Sequence, residues 1–203
     1  AVYNVGELKI PGLDNILFTS TEANENNRPQ LIVPKKISLA SPIQSLSFEF
    51  VCLDGNGEAS YMTDWKNSSY AQSISFIGCA VQNIKRTLVR IGDGSGVFMT
   101  DITIDNCIIS EVGTDGYGMI NFGKNIDQLE KISITNSTLI NMGDQLMDLK
   151  GGIGDVTLEN CTFYNSMDAK KELPKVFRFD NAASTPPSPK SATMRNLIFS
   201  GPN

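Results

Sequence analysis

Hydrophobic and polar residues alternate in five short segments that align with one another without gaps. Each segment reads polar, apolar, polar, apolar, polar (Ile77 in the first copy), then Asn or Gly, then a small or apolar residue. Successive copies begin 24 to 36 residues apart, a spacing typical of repeat architectures. The aligned segments are residues 73–79, 101–107, 131–137, 155–161 and 191–197, and residues 45–51 are a fainter copy.

Alternation with a period of two residues predicts a strand with one buried face. The alternation slips by one position at the Asn or Gly, which are residue types that tolerate a left-handed backbone, so we expect the chain to turn a corner there and resume as a strand. The residues expected to point inward before the corner are Ile74, Phe76, Ile102, Ile104, Ile132, Ile134, Val156, Leu158, Ala192 and Met194. Those expected inward after it are Cys79, Val81, Cys107, Ile109, Ser137, Leu139, Cys161, Phe163, Leu197 and Phe199.

A second strand-like segment follows four of the motifs, at residues 88–91, 119–122, 146–149 and 176–179. Propeller blades need hairpin signals and longer units, and helical repeats need a period of 3.6 that is absent. The pattern therefore predicts an all-β fold, a right-handed parallel β-helix of about five to seven turns, or rungs. We expect residues 1–44 to form N-terminal rungs and a cap, and residues 45–203 to form one continuous β-helix cut from a longer protein.

Composition removes several classes of function. The 203 residues carry a net charge of −5 and contain no histidine, so catalytic dyads and zinc sites that need imidazole are unavailable to this chain. The acidic balance argues against nucleic acid as a partner, and no apolar stretch is long enough to span a membrane. The four cysteines form no CxxC pair. We interpret Cys79, Cys107 and Cys161 as buried apolar residues, with a disulfide or a metal site as alternatives.

A polar row is the main candidate for a binding site. Arg90, Asn121, Asp148 and Arg178 occupy the same outward position on four successive second strands. One interpretation is a cross-strand ladder that only stabilises the sheet. The other is a glycan-contact groove, in which nearby aromatic residues stack on sugar rings. The aromatic candidates are Tyr117 and Trp65, with Tyr61 and Tyr70 close by in the sequence.

The segment 54–58, Asp-Gly-Asn-Gly-Glu, has a faint likeness to a calcium loop. It lacks the full set of alternating oxygen ligands, and Gly-rich turns between strands share this composition. We therefore predict no catalytic residue, no metal ligand and no cofactor, and keep calcium as an alternative.

The Ile-x-Ile-x-Asn-Cys-x-Ile pattern with its Asn corner resembles the pectate-lyase-like right-handed β-helix proteins over roughly residues 45–200. More narrowly, the chain is similar to β-helix domains of secreted or surface lipoproteins from glycan-degrading gut bacteria. This resemblance implies a secreted or cell-surface bacterial location and a polysaccharide partner. It does not fix an activity, because the architecture hosts lyases, hydrolases, esterases, adhesins and spacers.

The catalytic motifs of the polygalacturonase-like, pectate-lyase-like and pectin-methylesterase-like enzymes are all missing from the sequence. The leading hypothesis is therefore a non-catalytic or degenerate β-helix that contacts a polysaccharide. One alternative is a calcium-dependent lyase acting on acidic glycans, with an Arg or Lys as its base. Another is a structural or adhesive spacer. The sequence leaves the oligomeric state open.

Overall fold

The computed structural model describes residues 1–20, 27–143, 145–166, 175–180 and 189–201. Over these ranges the chain forms a β-solenoid of about six turns without any helix. The predicted parallel β-helix is therefore confirmed. Among the same residues there is accordingly no helix of the length and apolarity that crossing a bilayer requires.

The solenoid is built from short strands. In chain order they are β1 (Val2–Asn4), β2 (Leu8–Ile10), β3 (Asn15–Thr19), β4 (Gln30–Ile32), β5 (Ile37–Leu39), β6 (Ile43–Glu49), β7 (Cys52–Asp54), β8 (Trp65–Lys66), β9 (Ala71–Ile77), β10 (Ala80–Ile84), β11 (Val89–Asp93), β12 (Phe98–Asp105), β13 (Ile108–Val112), β14 (Gly118–Phe122), β15 (Ile126–Thr135), β16 (Thr138–Ile140), β17 (Gln145–Glu159), β18 (Thr162–Tyr164), β19 (Lys175–Asp180), β20 (Ser191–Arg195) and β21 (Ile198–Ser200).

These strands form stacked parallel sheets. One sheet has eight strands in the order β1-β4-β7-β10-β13-β16-β18-β21. A second sheet has eleven strands, nine of them on a main path made of two arms that join at the long strand β17. One arm carries the repeated motif and runs from β3 through β6, β9, β12 and β15, and the other runs through β8, β11 and β14. Strands β19 and β20 each pair with β17, and β2 pairs with β5 in a small separate sheet. Strands from residues 1–44 thus pair in parallel with later rungs.

Inward side chains stack in columns because equivalent residues of successive rungs are in register. Phe18, Phe48 and Phe76 form one such column, with ring centroids 5.1 and 5.4 Å apart and nearly parallel planes. The predicted inward residues from Ile74 through Phe163 are all at most 2% exposed. Burial of a large apolar side chain contributes about 1.5–3 kcal/mol before entropy is counted, so the columns form the core of the solenoid.

The predicted corners are confirmed. Asn106, Asn136, Asn160, Asn196 and Gly78 all have φ between 51° and 59°, in the left-handed region. Side-chain amides link the corners of successive rungs: Asn136 Nδ2 donates to Asp105 Oδ1 at 2.8 Å, and Asn196 Nδ2 donates to Asn160 Oδ1 at 2.9 Å. The asparagines therefore supply both the backbone conformation and a hydrogen-bonded ladder.

A second corner was missed by sequence reasoning. Asn83, Glu111, Asn141 and Asn165 also have positive φ, between 46° and 59°, and each lies five residues after a first corner. Asn165 Nδ2 donates to Asn141 Oδ1 at 2.7 Å, and Asn141 Nδ2 donates to the Glu111 carboxylate. The constant five-residue spacing was the available signal, but the residues around it follow no fixed motif.

The cysteine interpretation is also confirmed. All four cysteines are free thiols, and Cys79, Cys107 and Cys161 are buried. Their sulfurs lie 3.3–3.5 Å from backbone carbonyl oxygens of their own and the preceding rung. They therefore behave as small core residues with a weak S–H donor.

The prediction of buried inward residues is wrong for the last rung. Met194 is 50% exposed and Phe199 is 55% exposed, Ala192 is exposed, and Leu197 is only partly buried. Their register is as predicted, since Ala192 pairs with Val156 and Phe199 with Phe163. They are exposed because, among the described residues, no further rung stacks on β20 and β21.

Candidate functional site

The predicted polar row is brought together by the strand register. Arg90 of β11 pairs with Asn121 of β14, Asn121 pairs with Asp148 of β17, and Asp148 pairs with Arg178 of β19. The four residues occupy equivalent positions on successive rungs, as the sequence pattern predicts. We call these four residues the polar row.

The two central members of the polar row are not exposed, which corrects the expectation of an outward, solvated ladder. Asn121 is 5% exposed and Asp148 is 6% exposed. Their side chains are short, and in the register they lie between the longer side chains of Arg90 and Arg178, which accounts for part of this burial. Asn121 Nδ2 donates to Asp148 Oδ2 at 3.1 Å, so part of the row is a structural ladder.

The other carboxylate oxygen of Asp148 is different. Oδ1 is buried, and within the described part of the chain it has no hydrogen-bond partner. The Nε atom of Arg178 lies 3.8 Å from it, beyond hydrogen-bond distance. The Arg178 side chain is about half exposed, at 49%. A buried acceptor thus lies beside a cation that solvent can reach.

Arg90 is committed to contacts inside the protein. Its Nη1 pairs with the carboxylate of Asp64, one residue before β8, and its guanidinium carbon lies 4.6 Å from the centroid of the Tyr61 ring. Asp64 was not singled out from the sequence. The sequence alone offered no signal for it, because only the pairing of β8 with β11 places Asp64 opposite Arg90.

Tyr61, Arg86, Arg90 and Tyr117 form a Tyr–Arg cluster beside the polar row. The Tyr61 and Tyr117 rings meet edge to face, with centroids 6.5 Å apart. The Arg86 guanidinium carbon lies 4.8 Å from the Tyr117 centroid, and Arg86 Nη1 donates to the Tyr61 hydroxyl at 3.0 Å. These contacts hold the ring of Tyr117 in place while it remains 36% exposed. Arg86 is the member that sequence reasoning missed.

Trp65 is not on the surface with Tyr117 but in the core. It is a residue of strand β8, not of a loop, and it is 1% exposed. The expectation that its indole is an accessible aromatic is therefore wrong, because its backbone position points the side chain into the core beside Ile91. Tyr70 is likewise buried, at 7% exposure. Of the two aromatic site residues predicted, only Tyr117 reaches the surface.

The segment that suggested a calcium loop has a different role. Asp54 is buried, and its two carboxylate oxygens accept four hydrogen bonds. The donors are Gln30 Nε2 at 2.8 Å, Gln82 Nε2 at 2.7 Å, Asn83 Nδ2 at 3.0 Å and the Asn56 backbone N at 2.7 Å. Burial by itself raises the pKa of Asp54, but the hydrogen bonds from Asn83, Gln82, Asn56 and Gln30 outweigh it, so the pKa is lowered.

Asp54 is therefore an ionised acceptor that joins three rungs. Its oxygens are already used, which leaves them unsuited to calcium. Over the ranges that the structure describes, no group of three or more His, Cys, Asp or Glu residues is placed to hold a metal ion.

The family of the chain follows from a sequence comparison. The profile of a family described as "Domain of unknown function (DUF4957)" matches residues 16–142, which is more than half of the chain. The chain belongs to the DUF4957 family. No curated protein and no solved structure matches it.

The family match covers some of the candidate site residues but not others. The part of this DUF4957 chain that matches includes Asp64, Arg90, Tyr117 and Asn121, but it ends before Asp148 and Arg178. The Tyr–Arg cluster therefore belongs to the shared region, whereas the carboxylate and the accessible arginine come from the rungs that follow it.

Proposed function

We propose that this DUF4957 chain is a non-catalytic, pectate-lyase-like β-helix that binds a polysaccharide at Asp148, Arg178 and Tyr117. The observation that carries the proposal is the buried Oδ1 of Asp148, which has no hydrogen-bond partner among the described residues. A buried acceptor left unpaired costs about 1–3 kcal/mol, so native proteins rarely keep one without a reason. A hydroxyl group of a ligand would satisfy it once the half-exposed Arg178 side chain moves aside to admit the ligand.

A sugar hydroxyl suits this position because it can donate and accept at once. It can donate to Asp148 Oδ1 and accept from the Arg178 guanidinium, whose Nε lies 3.8 Å from that oxygen. The gap is too long for a direct hydrogen bond, and an oxygen atom placed to one side of the two atoms can lie within hydrogen-bond distance of both. Two planar, oppositely charged groups side by side give directional contacts to neighbouring hydroxyls.

Tyr117 supplies the apolar part of the proposed site. One face of its ring is covered by Arg86 at 4.8 Å, and the ring keeps 36% of its surface exposed. An aromatic ring held in this way has little side-chain freedom left to lose when a sugar ring packs on it, so that contact costs less entropy. The shape of the solenoid also suits a linear ligand, because equivalent side-chain positions of successive rungs repeat along one axis.

The resemblance to β-helix domains of secreted or surface lipoproteins of gut bacteria supports a secreted or cell-surface location, where polysaccharides are available. The missing catalytic motifs support a binding role. The calcium-dependent lyase finds no support at Asp54, whose oxygens already accept four hydrogen bonds.

Affinity electrophoresis against a panel of neutral and acidic polysaccharides tests the proposal. Retardation by one polymer is expected for the native chain, with at least about a tenfold loss of affinity in Arg178→Ala and in Tyr117→Ala. Arg195→Ala and Tyr164→Ala are matched controls, because these side chains are exposed on other strands of the solenoid.

Equal retardation of all four variants would show that the site is wrong. Unretarded migration of the native chain with every polymer would overturn the polysaccharide role and favour the spacer, which predicts attachment to a protein surface instead.

A further inference from the structure

The carboxylate of Asp148 also bears on which class of polysaccharide the proposed site accepts. This carboxylate is buried, and its Oδ2 already accepts a hydrogen bond from Asn121 Nδ2 at 3.1 Å. Its Oδ1 has no hydrogen-bond partner in the part of the chain that the structure describes. Since an ionised carboxylate accepts hydrogen bonds but donates none, only a donor group of a ligand can pair with Oδ1.

Neutral and acidic polysaccharides differ in the groups that they bring to Asp148. A hydroxyl group of a neutral sugar carries a hydrogen atom that it can donate, whereas the carboxylate of a uronic acid and the sulfate of a sulfated sugar carry none. Either anion would also place a like charge beside Asp148, which is unfavourable in a buried setting. A polymer charged on every sugar keeps some of its charges within the Debye length of Asp148, about 8 Å at physiological ionic strength, even where one of its hydroxyl groups makes the contact.

The arginines of the polar row do not offset this exclusion. Arg178 Nε lies 3.8 Å from Asp148 Oδ1, and Arg90 Nη1 pairs with the carboxylate of Asp64. Each of these arginines therefore has a carboxylate beside it. An acidic ligand that approaches either guanidinium has to compete with a carboxylate that the protein already supplies, whereas an uncharged hydroxyl group can bind beside both charges.

The charges farther from the row give the same result. Lys150, the next cation on β17, lies two residues after Asp148, and its register partner on β19 is the acidic residue Asp180. Residues of both signs thus occupy neighbouring positions on these strands. The chain as a whole carries a net charge of −5, so its long-range field repels a polyanion.

The ring of Tyr117 favours a neutral sugar for a separate reason. The face of an aromatic ring carries a partial negative charge, so it attracts the C–H groups of a sugar ring and repels a carboxylate or a sulfate. The guanidinium carbon of Arg86 lies 4.8 Å from the centroid of this ring, and Arg86 Nη1 donates to the Tyr61 hydroxyl at 3.0 Å. The Arg86 cation is thus held against rings of the protein itself, and a ligand meets the exposed part of the Tyr117 ring.

We propose that the site selects neutral polysaccharides that are rich in free hydroxyl groups, and that Asp148 is the residue that excludes acidic ones. This inference rests on the proposed function, because it concerns the same site. A site whose buried polar group needs a hydroxyl donor discriminates strongly against a ligand that does not supply one there. The selectivity is opposite to that of a cationic groove, which prefers polyanions and binds them less tightly as salt is added.

Matched pairs of polymers in affinity electrophoresis test the selectivity. Soluble β-glucan, galactan and mannan are the neutral probes, and each is run beside a form whose primary hydroxyl groups have been oxidised to carboxylates. The two members of a pair then differ only at that group. At least one neutral polymer should retard the native chain, and its oxidised form should bind at least about tenfold more weakly.

A salt series on the same pairs separates hydroxyl recognition from charge attraction. Raising the salt concentration from about 0.01 M to about 1 M shortens the Debye length from about 30 Å to about 3 Å. Binding of the neutral polymer should stay nearly constant, and binding of the oxidised polymer should rise as its repulsion by Asp148 is screened. A loss of binding to the neutral polymer over this range would contradict the proposal.

Asp148→Asn tests the residue itself. The amide oxygen can still accept from Asn121, but the charge is removed, so the ratio of neutral to oxidised affinity should fall from at least about ten towards one. Asp155→Asn is the matched control, because Asp155 is an exposed carboxylate on the same strand β17 and its removal changes the net charge equally. A purely structural role of Asp148 would lower both affinities and leave their ratio unchanged.

An oxidised polymer that binds as tightly as its neutral parent would overturn the selectivity. So would an equal change of the ratio in Asp155→Asn, or a native chain that none of the neutral polymers retards. If the native chain binds only acidic polymers and loses that binding in Arg178→Ala and Tyr117→Ala, the polysaccharide site stands and the selectivity is wrong. The polymer pairs and the salt series use the native chain, so the test stays decisive if Asp148→Asn fails to fold.

Discussion

Asn160 donates a hydrogen bond from its side-chain Nδ2 to Oδ1 of Asn136, one rung earlier, at 3.1 Å, while both residues hold a left-handed backbone conformation. The two roles can be separated by substitution. Asn160→Gly keeps the conformational freedom and removes both ladder bonds of this side chain, the one it donates to Asn136 and the one it accepts from Asn196, whereas Asn160→Ala also loses the conformational freedom. We expect a loss of about 1 kcal/mol for the glycine variant and a further 1–2 kcal/mol or so for the alanine variant. Urea unfolding of both variants measures the difference, and equal stability of the two would show that the corner tolerates any residue.

Gly78 shows why one first corner lacks asparagine. A Cβ at this position would lie 2.6 Å from Cε1 of the Phe50 ring, which packs over the glycine. Gly78→Ala should therefore destabilise the protein by about 2–4 kcal/mol, combining a steric clash with backbone strain. Gly57→Ala is the matched control, because Gly57 has φ of 63° but no atom within 4 Å of its added Cβ. Thermal unfolding should rank Gly78→Ala well below Gly57→Ala, and the reverse order would contradict this packing.

Asp54 predicts a specific pH dependence of stability. Its pKa is lower in the folded chain than in the unfolded chain, so ionised Asp54 stabilises the fold at pH values above about 4, near its unfolded pKa. That contribution is lost as the pH falls through the folded pKa. Asp54→Asn should therefore cost about 1–3 kcal/mol at neutral pH and progressively less in acid. Urea unfolding from pH 7 down to pH 3 measures this convergence.

Glu130→Gln provides the control for that series, because Glu130 is an exposed carboxylate. It should change stability little at any pH. A constant difference between Asp54→Asn and the native chain across the series would show that the charge of Asp54 contributes nothing.

Thiol reactivity should separate the cysteines. Burial, together with the nearby Asp54 charge, raises the pKa of the partly buried Cys52 thiol to about 11, and Cys79, Cys107 and Cys161 are fully buried. The native chain should therefore react slowly with Ellman's reagent at pH 8, with Cys52 first and faster as the pH rises. All four thiols should react at once in denaturant. Cys52→Ser should abolish the first native phase, and a rapid native reaction of more than one thiol would contradict the buried column.

The motif strands and their first corner could be predicted because each depends on local chemistry. Alternation marks the inward face of β9, β12, β15, the C-terminal part of β17 and β20, and Asn at positions such as 106 and 136 marks the change of direction. The second corner could not be predicted, because it accepts Glu111 as well as Asn83 and Asn141 in the left-handed conformation. Neighbouring rungs determine that geometry, and a single rung does not reveal it.

Burial at the site was harder to foresee for a similar reason. The alternation of polar and apolar residues places Asp148 on the outer face of its strand, but it does not predict which neighbouring side chains cover Asp148. The depth of Asn121 and Asp148 depends on the side chains of adjacent rungs. Conversely, Met194 keeps the inward register and is still exposed, because burial of a column member requires a rung on both sides.

The fixed spacing between the two corners of a rung limits where residues can be inserted into or removed from the solenoid. In four rungs the corners lie five residues apart, from Gly78 to Asn83, Asn106 to Glu111, Asn136 to Asn141 and Asn160 to Asn165, while the motifs themselves recur at variable intervals. All the variation in length therefore falls between a second corner and the next first corner. An engineered epitope or enzyme loop should be accepted there, for example at the exposed residues 95–96. A single residue inserted between Asn136 and Asn141 should instead put Leu139 out of phase with Ile109 and Phe163 of its column.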